Sequence, residues 1–148
     1  MKTLTNFVMG ALLITPAMFG ADKLKIEDLP PAVQKAVKEQ TQNATLGAIS
    51  KEVEKGKTMY EVESKVNGKV HDLMIDSNGG VISVEDEVSL DSIPGPAKDA
   101  ILKKVGTGKI KLVEKVTQGK VVSYEASYTG KSGKSAEVGV NADGTPHK

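Results

Sequence analysis

The sequence predicts an α+β protein made of two tandem units, each a helix packed on a three- to four-stranded antiparallel sheet. Three observations predict this fold class: an internal repeat, a helix signal at the start of each copy, and alternating apolar and polar residues after each helix. The 148 residues include no cysteine, so disulfides cannot stabilise these units. Packing and hydrogen bonds must therefore suffice.

The repeat is visible as three matches in the same order. Residues 29–33 (LPPAV) are echoed by residues 93–97 (IPGPA), and residues 57–62 (KTMYEV) by residues 121–126 (VVSYEA). A third match pairs IDSNGG, which starts at Ile75, with VNADGT, which starts at Val140. Three echoes at almost one offset favour duplication over coincidence. We therefore expect a unit at residues 22–88 and a second unit at residues 89–148, after a signal peptide at residues 1–21.

Each copy opens with a helix signal. In the first copy we place Asp28 or Leu29 at the cap and Pro30 near the first helical position, where its missing N–H costs nothing. Apolar residues then recur at helical spacing on one face in both copies. Gly106 is expected to end the second helix, because glycine commonly ends helices.

After each helix the period becomes that of a strand. The first copy alternates through Tyr60, Val62 and Ser64, and Asn67-Gly68 then forms a strong two-residue hairpin turn. The second copy repeats the plan, but the chain stops where its last strand should run, so that strand is expected to be missing or only begun. A unit with one helix covers one sheet face and leaves the other open, and we expect function on the open face.

The N-terminus has the form of a secretory signal. Lys2 precedes a short apolar run (FVMGALLI) and the breaker Pro16. The run is shorter than the roughly 20 apolar residues that cross a bilayer, so we expect cleavage and a periplasmic or secreted protein without a membrane span.

Charge composition excludes several functional classes. Removal of Lys2 leaves 19 lysines against 19 acidic residues, which argues against nucleic acid and anionic membrane as partners. Every basic residue except histidine is lysine, so the arginine forks that capture phosphate are absent.

No motif predicts an active site. His71 is the only histidine in mid-chain, and we interpret it as an ordinary strand residue without the orienting partner that catalysis needs. Residues 76–80 (DSNGG) resemble the start of a calcium loop, and Glu87 falls at the twelfth place. The sixth place is Val81 where glycine is required, so a hairpin turn is favoured.

Carboxylates occur in two further patterns. Glu85, Asp86, Glu87 and Asp91 could bind a cation weakly, but an acidic linker is more often solvated. Glu61 and Glu63 share a strand face, and we expect that face to be solvated or paired with lysine. Catalytic, cofactor and metal residues are therefore all predicted to be none, and the binding residues are unassigned.

The repeated unit resembles the PepSY-like domains of bacterial envelope proteins, also called beta-lactamase-inhibitor-like. The resemblance rests on LPPAV before a helix, then KTMYEV, an Asn-Gly-Lys turn and IDSNGGVI. It implies a tandem helix-on-sheet fold, as in beta-lactamase inhibitory protein, and a binding or inhibitory role outside the cytoplasm. The leading hypothesis is a non-catalytic module that binds a protein or peptide, with inhibition or regulation of a peptidase or other envelope protein as one form of this role. The alternative is a periplasmic small-ligand or metal-ion binder.

Overall fold

The structure, a computed structural model, describes residues 23–147, so the expected signal peptide at residues 1–21 lies outside the described residues. This part of the chain has two α-helices and seven β-strands. The helices are α1 (Pro31–Gln40) and α2 (Gly95–Val105). The strands are β1 (Thr45–Glu54), β2 (Lys57–Val66), β3 (Lys69–Asp76), β4 (Val81–Glu87), β5 (Lys109–Gln118), β6 (Val121–Thr129) and β7 (Ser135–Asn141).

The described strands form one antiparallel sheet in which spatial order equals chain order. The α+β class predicted from the sequence is confirmed. The sequence indicated a separate sheet in each half, whereas the structure joins both halves because β4 pairs with β5 from Val84↔Thr117 to Glu87↔Glu114. Residues 85–87 therefore belong to β4, and the linker is shorter than expected.

Proline and glycine set the helix ends. Pro30 is the N-cap of α1 and Pro31 is its first helical residue, so the expected cap at Asp28 or Leu29 was one or two positions early. A proline at either position loses no helical hydrogen bond, because the first N–H groups of a helix have no partner within it. Gly106 ends α2 with φ +59°, as predicted.

Both helices pack on the same face of the sheet and form two hydrophobic clusters. In the first, Val33 and Val37 of α1 are fully buried against Val62 and Leu73. In the second, the fully buried Ala97 and Ile101 of α2 meet the following residues of the later strands: Val113, Ala126, Tyr128 and Val140. No helix of the described range is long and apolar enough to cross a membrane.

The turns follow the sequence prediction. Asn67 and Gly68 both have positive φ, at +53° and +80°, which is the conformation of a tight hairpin turn. After β7, a single bridge joins Val140 to Pro146, and the His147 N–H donates to Gly139 O.

Candidate functional site

The sheet has an open face, opposite the two helices, on which no other element of the described chain packs. Strand alternation and the pairing register identify its residues. Asp72 lies opposite Glu85, Glu85 opposite Val116, and Glu114 opposite Glu125, so their side chains share this face.

Six partly buried carboxylates cross the open face, one on each strand from β2 to β7, and we call them the carboxylate band. The band consists of Glu61, Asp72, Glu85, Glu114, Glu125 and Glu137. Members on neighbouring strands either lie directly opposite each other, as Asp72 and Glu85 do, or are offset by two residues, as Glu85 and Glu114 are. A row of like charges at these positions is destabilising, so the pattern needs an explanation beyond folding.

Burial dominates the electrostatics of the band. Burial, as the larger cause, and the nearby carboxylates of Glu114 and Glu125 together raise the pKa of Glu85 to about 8. The pKa of Glu114 is raised to about 7, again chiefly by burial and then by neighbouring carboxylates that include Asp72. Burial also raises the pKa of Glu137. These shifts arise because a charged group loses hydration and gains like-charged neighbours.

The strands on one side of the band, β2 and β3, satisfy their carboxylates with hydrogen bonds. Asp72 accepts a hydrogen bond from the Ser64 N–H at 2.8 Å, and Glu61 accepts one from the Ser50 hydroxyl at 3.3 Å. Within residues 23–147, the carboxyl groups of Glu85 and Glu114 have neither a hydrogen bond nor an ion pair. The centre of the band thus lacks the hydrogen bonds that compensate the carboxylates on β2 and β3.

Small and apolar residues on the open face are buried beside the band. Met59, Ser83, Val116 and Ser123 are all less than one-tenth exposed, although no helix covers them. Their longer neighbours on the same face shield them. Ser83 Oγ is fully buried and finds no hydrogen-bond partner in the described part of the chain. Ser83 lies two residues before Glu85, on the same side of β4.

His71 lies on the opposite, helix-covered face and has a partner, which corrects the sequence interpretation. Its Nδ1 is 2.7 Å from Asp86 Oδ1, and Lys115 Nζ is 3.7 Å from the other carboxylate oxygen of Asp86. Asp86 is the cross-strand partner of His71, a pairing that depends on the register of β3 and β4. The sequence could not supply that register.

Serine, histidine and aspartate occur together around His71, but their bonding is structural. The hydroxyl of the buried Ser64 donates a hydrogen bond to the backbone carbonyl of His71, and not to the imidazole. A nucleophilic serine needs a base within hydrogen-bond reach of its hydroxyl. This arrangement therefore fixes the strands and does not form a catalytic triad.

The segment that resembles a calcium loop, residues 76–80, is a hairpin turn, which is the interpretation that the sequence favours. Asp76 Oδ1 accepts hydrogen bonds from the N–H groups of Asn78 and Gly80, at 2.8 and 2.9 Å. Val81 to Glu87 then form β4, so Glu87 does not fold back onto Asp76. In residues 23–147, no three histidine or acidic side chains converge on a position where they could share a metal ion.

The two acidic patterns from the sequence had different outcomes. Glu61 and Glu63 do share a face, but Glu61 is half-buried and its pKa is raised, mainly by burial, so the expected solvation was wrong for this residue. Glu85 was expected in a solvated linker and is instead at the centre of the sheet.

Sequence reasoning missed four members of the band: Asp72, Glu114, Glu125 and Glu137. Aligning the strands of the two copies would have indicated two of them, since Glu125 and Glu137 follow Glu61 and Asp72 at the repeat offset. The signal for these two positions was therefore present in the sequence.

A cavity of about 200 Å³ lies at one end of the band, and its lining includes Leu46, Glu63, Val70 and Asp72. Pockets for small organic ligands usually measure about 300–1,000 Å³. The face is better suited to an extended contact than to the enclosure of a small molecule.

Solved structures share this fold, whereas comparison with protein-family models and with curated protein sequences found no match. A protein from Bacteroides eggerthii, provisionally described as periplasmic, has a TM-score of 0.64 at 15% identity, covering 81% of this chain and 86% of its own. A DUF2874 family protein from Bacteroides uniformis has a TM-score of 0.62 at 15% identity, with coverage of 80% and 86%.

A third solved structure is a BLIP-like protein from Bacteroides fragilis. Its TM-score is 0.55 at 19% identity, and the match covers 80% of this chain and 82% of that one. Likeness at these identities shows a common fold, and it supports the BLIP-like part of the resemblance. Activity and partners do not follow from fold alone.

Proposed function

We propose that this chain is an exported, non-catalytic module that binds a protein or peptide through the open sheet face. One observation carries the proposal: the open face of the seven-stranded sheet has no covering element in the described residues, yet it contains buried Met59 and Val116. Water-exposed antiparallel faces are normally polar and well solvated. A partly dehydrated surface of this kind is typical of protein contacts.

Export is part of the proposal. The apolar segment after Lys2 is consistent with a signal peptide at residues 1–21, and the provisional periplasmic description of the Bacteroides eggerthii protein agrees with a periplasmic or secreted location. The proposed class of partner is an envelope protein, with a peptidase as one case that the resemblance suggests.

We also propose that the binding surface arose by duplication of a PepSY-like unit, at residues 22–88 and 89–148. Both halves place a turn glycine under the start of a helix. A Cβ on Gly79 would lie 2.6 Å from Ala32 O, and a Cβ on Gly144 would lie 2.6 Å from Pro96 O. Both first strands also carry an irregularity at matching places, Leu46/Ile49 and Ile110/Leu112. Matched irregularities support a common origin better than matched turns do, because turn residues recur widely.

The experiment uses the absence of native cysteine. A single cysteine is introduced either at Ser127, on the open face, or at Lys103, on the outer side of α2, and each is labelled with a photo-crosslinker. After illumination in an envelope extract, the S127C protein is expected to form a specific adduct and the K103C protein none. An adduct formed only from K103C, or equally from both, would contradict binding through the open face.

A small-ligand or metal-ion binder is the second candidate, and the uncompensated carboxylates of Glu85 and Glu114 favour it. It predicts a rise in melting temperature with a particular divalent cation or small cationic ligand. No such shift, together with an S127C adduct, would leave the protein-binding function as the better account.

A further inference from the structure

The carboxylate band has the geometry of a line. It takes one carboxylate from each of six neighbouring strands, from Glu61 on β2 to Glu137 on β7. Adjacent strands lie about 4.8 Å apart, so the band extends over about 24 Å. A single ion could reach only a small part of such a line.

Cations from this chain are scarce along the line. Lys115, on the strand between Glu85 and Glu125, points to the helix-covered face and pairs with Asp86 there. Lys65 lies near Asp72 at one side of the band, and His147 near Glu125 at the other. Glu85 and Glu114 lie between these two cations, and their carboxyl groups have no hydrogen bond or ion pair in the described chain.

A separate observation at the centre of the band also points to a missing partner. Ser83 Oγ is fully buried and unpartnered within residues 23–147, and it lies next to Glu85 along the same face of β4. Buried hydroxyl groups in native proteins are normally hydrogen-bonded, and an exception needs an explanation. A polar atom of a bound chain reaches this hydroxyl once binding at Glu85 displaces the side chains that cover it.

We propose that the carboxylate band is the docking site for a lysine- or arginine-rich segment of a partner protein. This inference rests on the proposed function and specifies the chemistry of the partner. An extended segment of about seven residues spans 24 Å and presents alternate side chains to the sheet. Charge complementarity is the physical basis, because basic side chains replace the hydration that burial removes from the carboxylates.

A multivalent segment fits the band better than a metal ion. In residues 23–147 no three acidic or histidine side chains are placed to share one ion. The carboxylates are spread over neighbouring strands, and each is within reach of a different side chain of a bound peptide. Arginine or lysine side chains, which are long and flexible, suit such spaced acceptors.

Binding of a basic segment should be linked to proton release. Burial, with the neighbouring carboxylates, raises the pKa of Glu85 to about 8 and that of Glu114 to about 7. Near neutral pH Glu85 is therefore mostly protonated and Glu114 partly protonated, and a nearby cation favours their ionised forms. Other charged groups also act on the band: Glu52, Glu63, Glu87, Lys65, His71 and His147. The acidic groups among them raise the pKa values of the band further, so they strengthen the same release of protons on binding. Affinity for a polycation should therefore rise between about pH 6 and pH 8.5.

The test measures binding of a fluorescent deca-lysine peptide to the purified protein. We expect the double variant E85Q/E114Q to weaken binding about tenfold. The matched control, E39Q/D99N, replaces the same number of carboxyl groups at exposed sites on the two helices, and its affinity should stay within about twofold of the unmodified protein. Deca-glutamate should not bind.

Two results would overturn the inference. The first is no binding of deca-lysine at low salt, and the second is an equal loss of affinity in both double variants, which would indicate general charge attraction. The S127C crosslink separates this inference from the proposed function. If S127C captures the same partner whether or not Glu85 and Glu114 are replaced, the open face binds but the basic-segment inference is wrong.

Discussion

Glu85 illustrates how the position of one residue sets its chemistry. It lies on β4, in the middle of the sheet. Asp72 is directly opposite it on β3, and its partner on β5 is Val116, two residues from Glu114. Burial is the largest cause of its pKa of about 8, and the nearby carboxylates add to it. A side chain that would be fully ionised in a solvated linker is therefore mostly protonated at neutral pH.

Replacement of Glu85 should change stability in a pH-dependent way. The raised pKa means that the folded protein keeps a proton on Glu85 up to about pH 8, whereas the unfolded chain releases it near the ordinary value of 4.5. The unmodified protein therefore loses stability as pH rises between these values. E85Q removes that loss, so we expect it to be about 1–2 kcal/mol more stable at pH 8 and nearly unchanged at pH 5.

Urea unfolding at both pH values measures this difference. D99N, at an exposed site on α2, serves as the control. A decrease in the stability of E85Q at pH 8 would mean that the ionised carboxylate has a favourable partner, which a raised pKa does not allow.

At the scale of elements, each helix is positioned by a turn that passes under its first residues. Gly79 follows β3 and Gly144 follows β7, both with φ above +80°. Their missing side chains let the turn approach the carbonyl groups of Ala32 and Pro96. Glycine is required there for two reasons, the left-handed backbone and the space, and together they fix where each helix begins on the sheet.

The two reasons can be separated by substitution. G68A meets only the backbone restriction, since Gly68 has φ +80° and a Cβ added there would find no atom within 4 Å, and it should cost about 1 kcal/mol. G79A and G144A add a steric clash at 2.6 Å with a backbone oxygen, and each should cost about 2–4 kcal/mol. Thermal and urea unfolding compare the three variants, and equal costs would refute the close packing under the helices.

At the scale of the whole molecule, two hydrophobic clusters share one sheet. The four pairs between β4 and β5 join the strands of the first cluster to those of the second. Because these ladder hydrogen bonds and the side chains around them are lost when either half unfolds, the halves should unfold together.

Core substitutions in the two clusters test this coupling. Leu73 and Ile101 are almost fully buried, one in each cluster, and L73A and I101A should each cost about 2–5 kcal/mol. In calorimetry each variant should show one transition at a lower temperature, with equal calorimetric and van't Hoff enthalpies. Two separated transitions in either variant would show that the halves unfold independently.

The sequence by itself determined the local structure. Proline and helical periodicity predicted the start of α1 to within one or two residues, and Gly106 predicted the end of α2. Alternation predicted strands after each helix, and Asn67-Gly68 predicted a hairpin turn, because these signals act over a few neighbouring residues. The open face was also anticipated, since each predicted unit has only one helix. How the strands of the two halves pair depended on contacts between residues far apart in the chain.

The tertiary structure alone decided the register between strands. That register joins β4 to β5 in a single sheet, pairs His71 with Asp86, and aligns carboxylates from six strands in one band. No local pattern specifies these contacts, because a shift of one residue in any strand would turn its side chains to the other face. The burial that raises the pKa of Glu85 depends on the same register, and so it became visible only in the folded molecule.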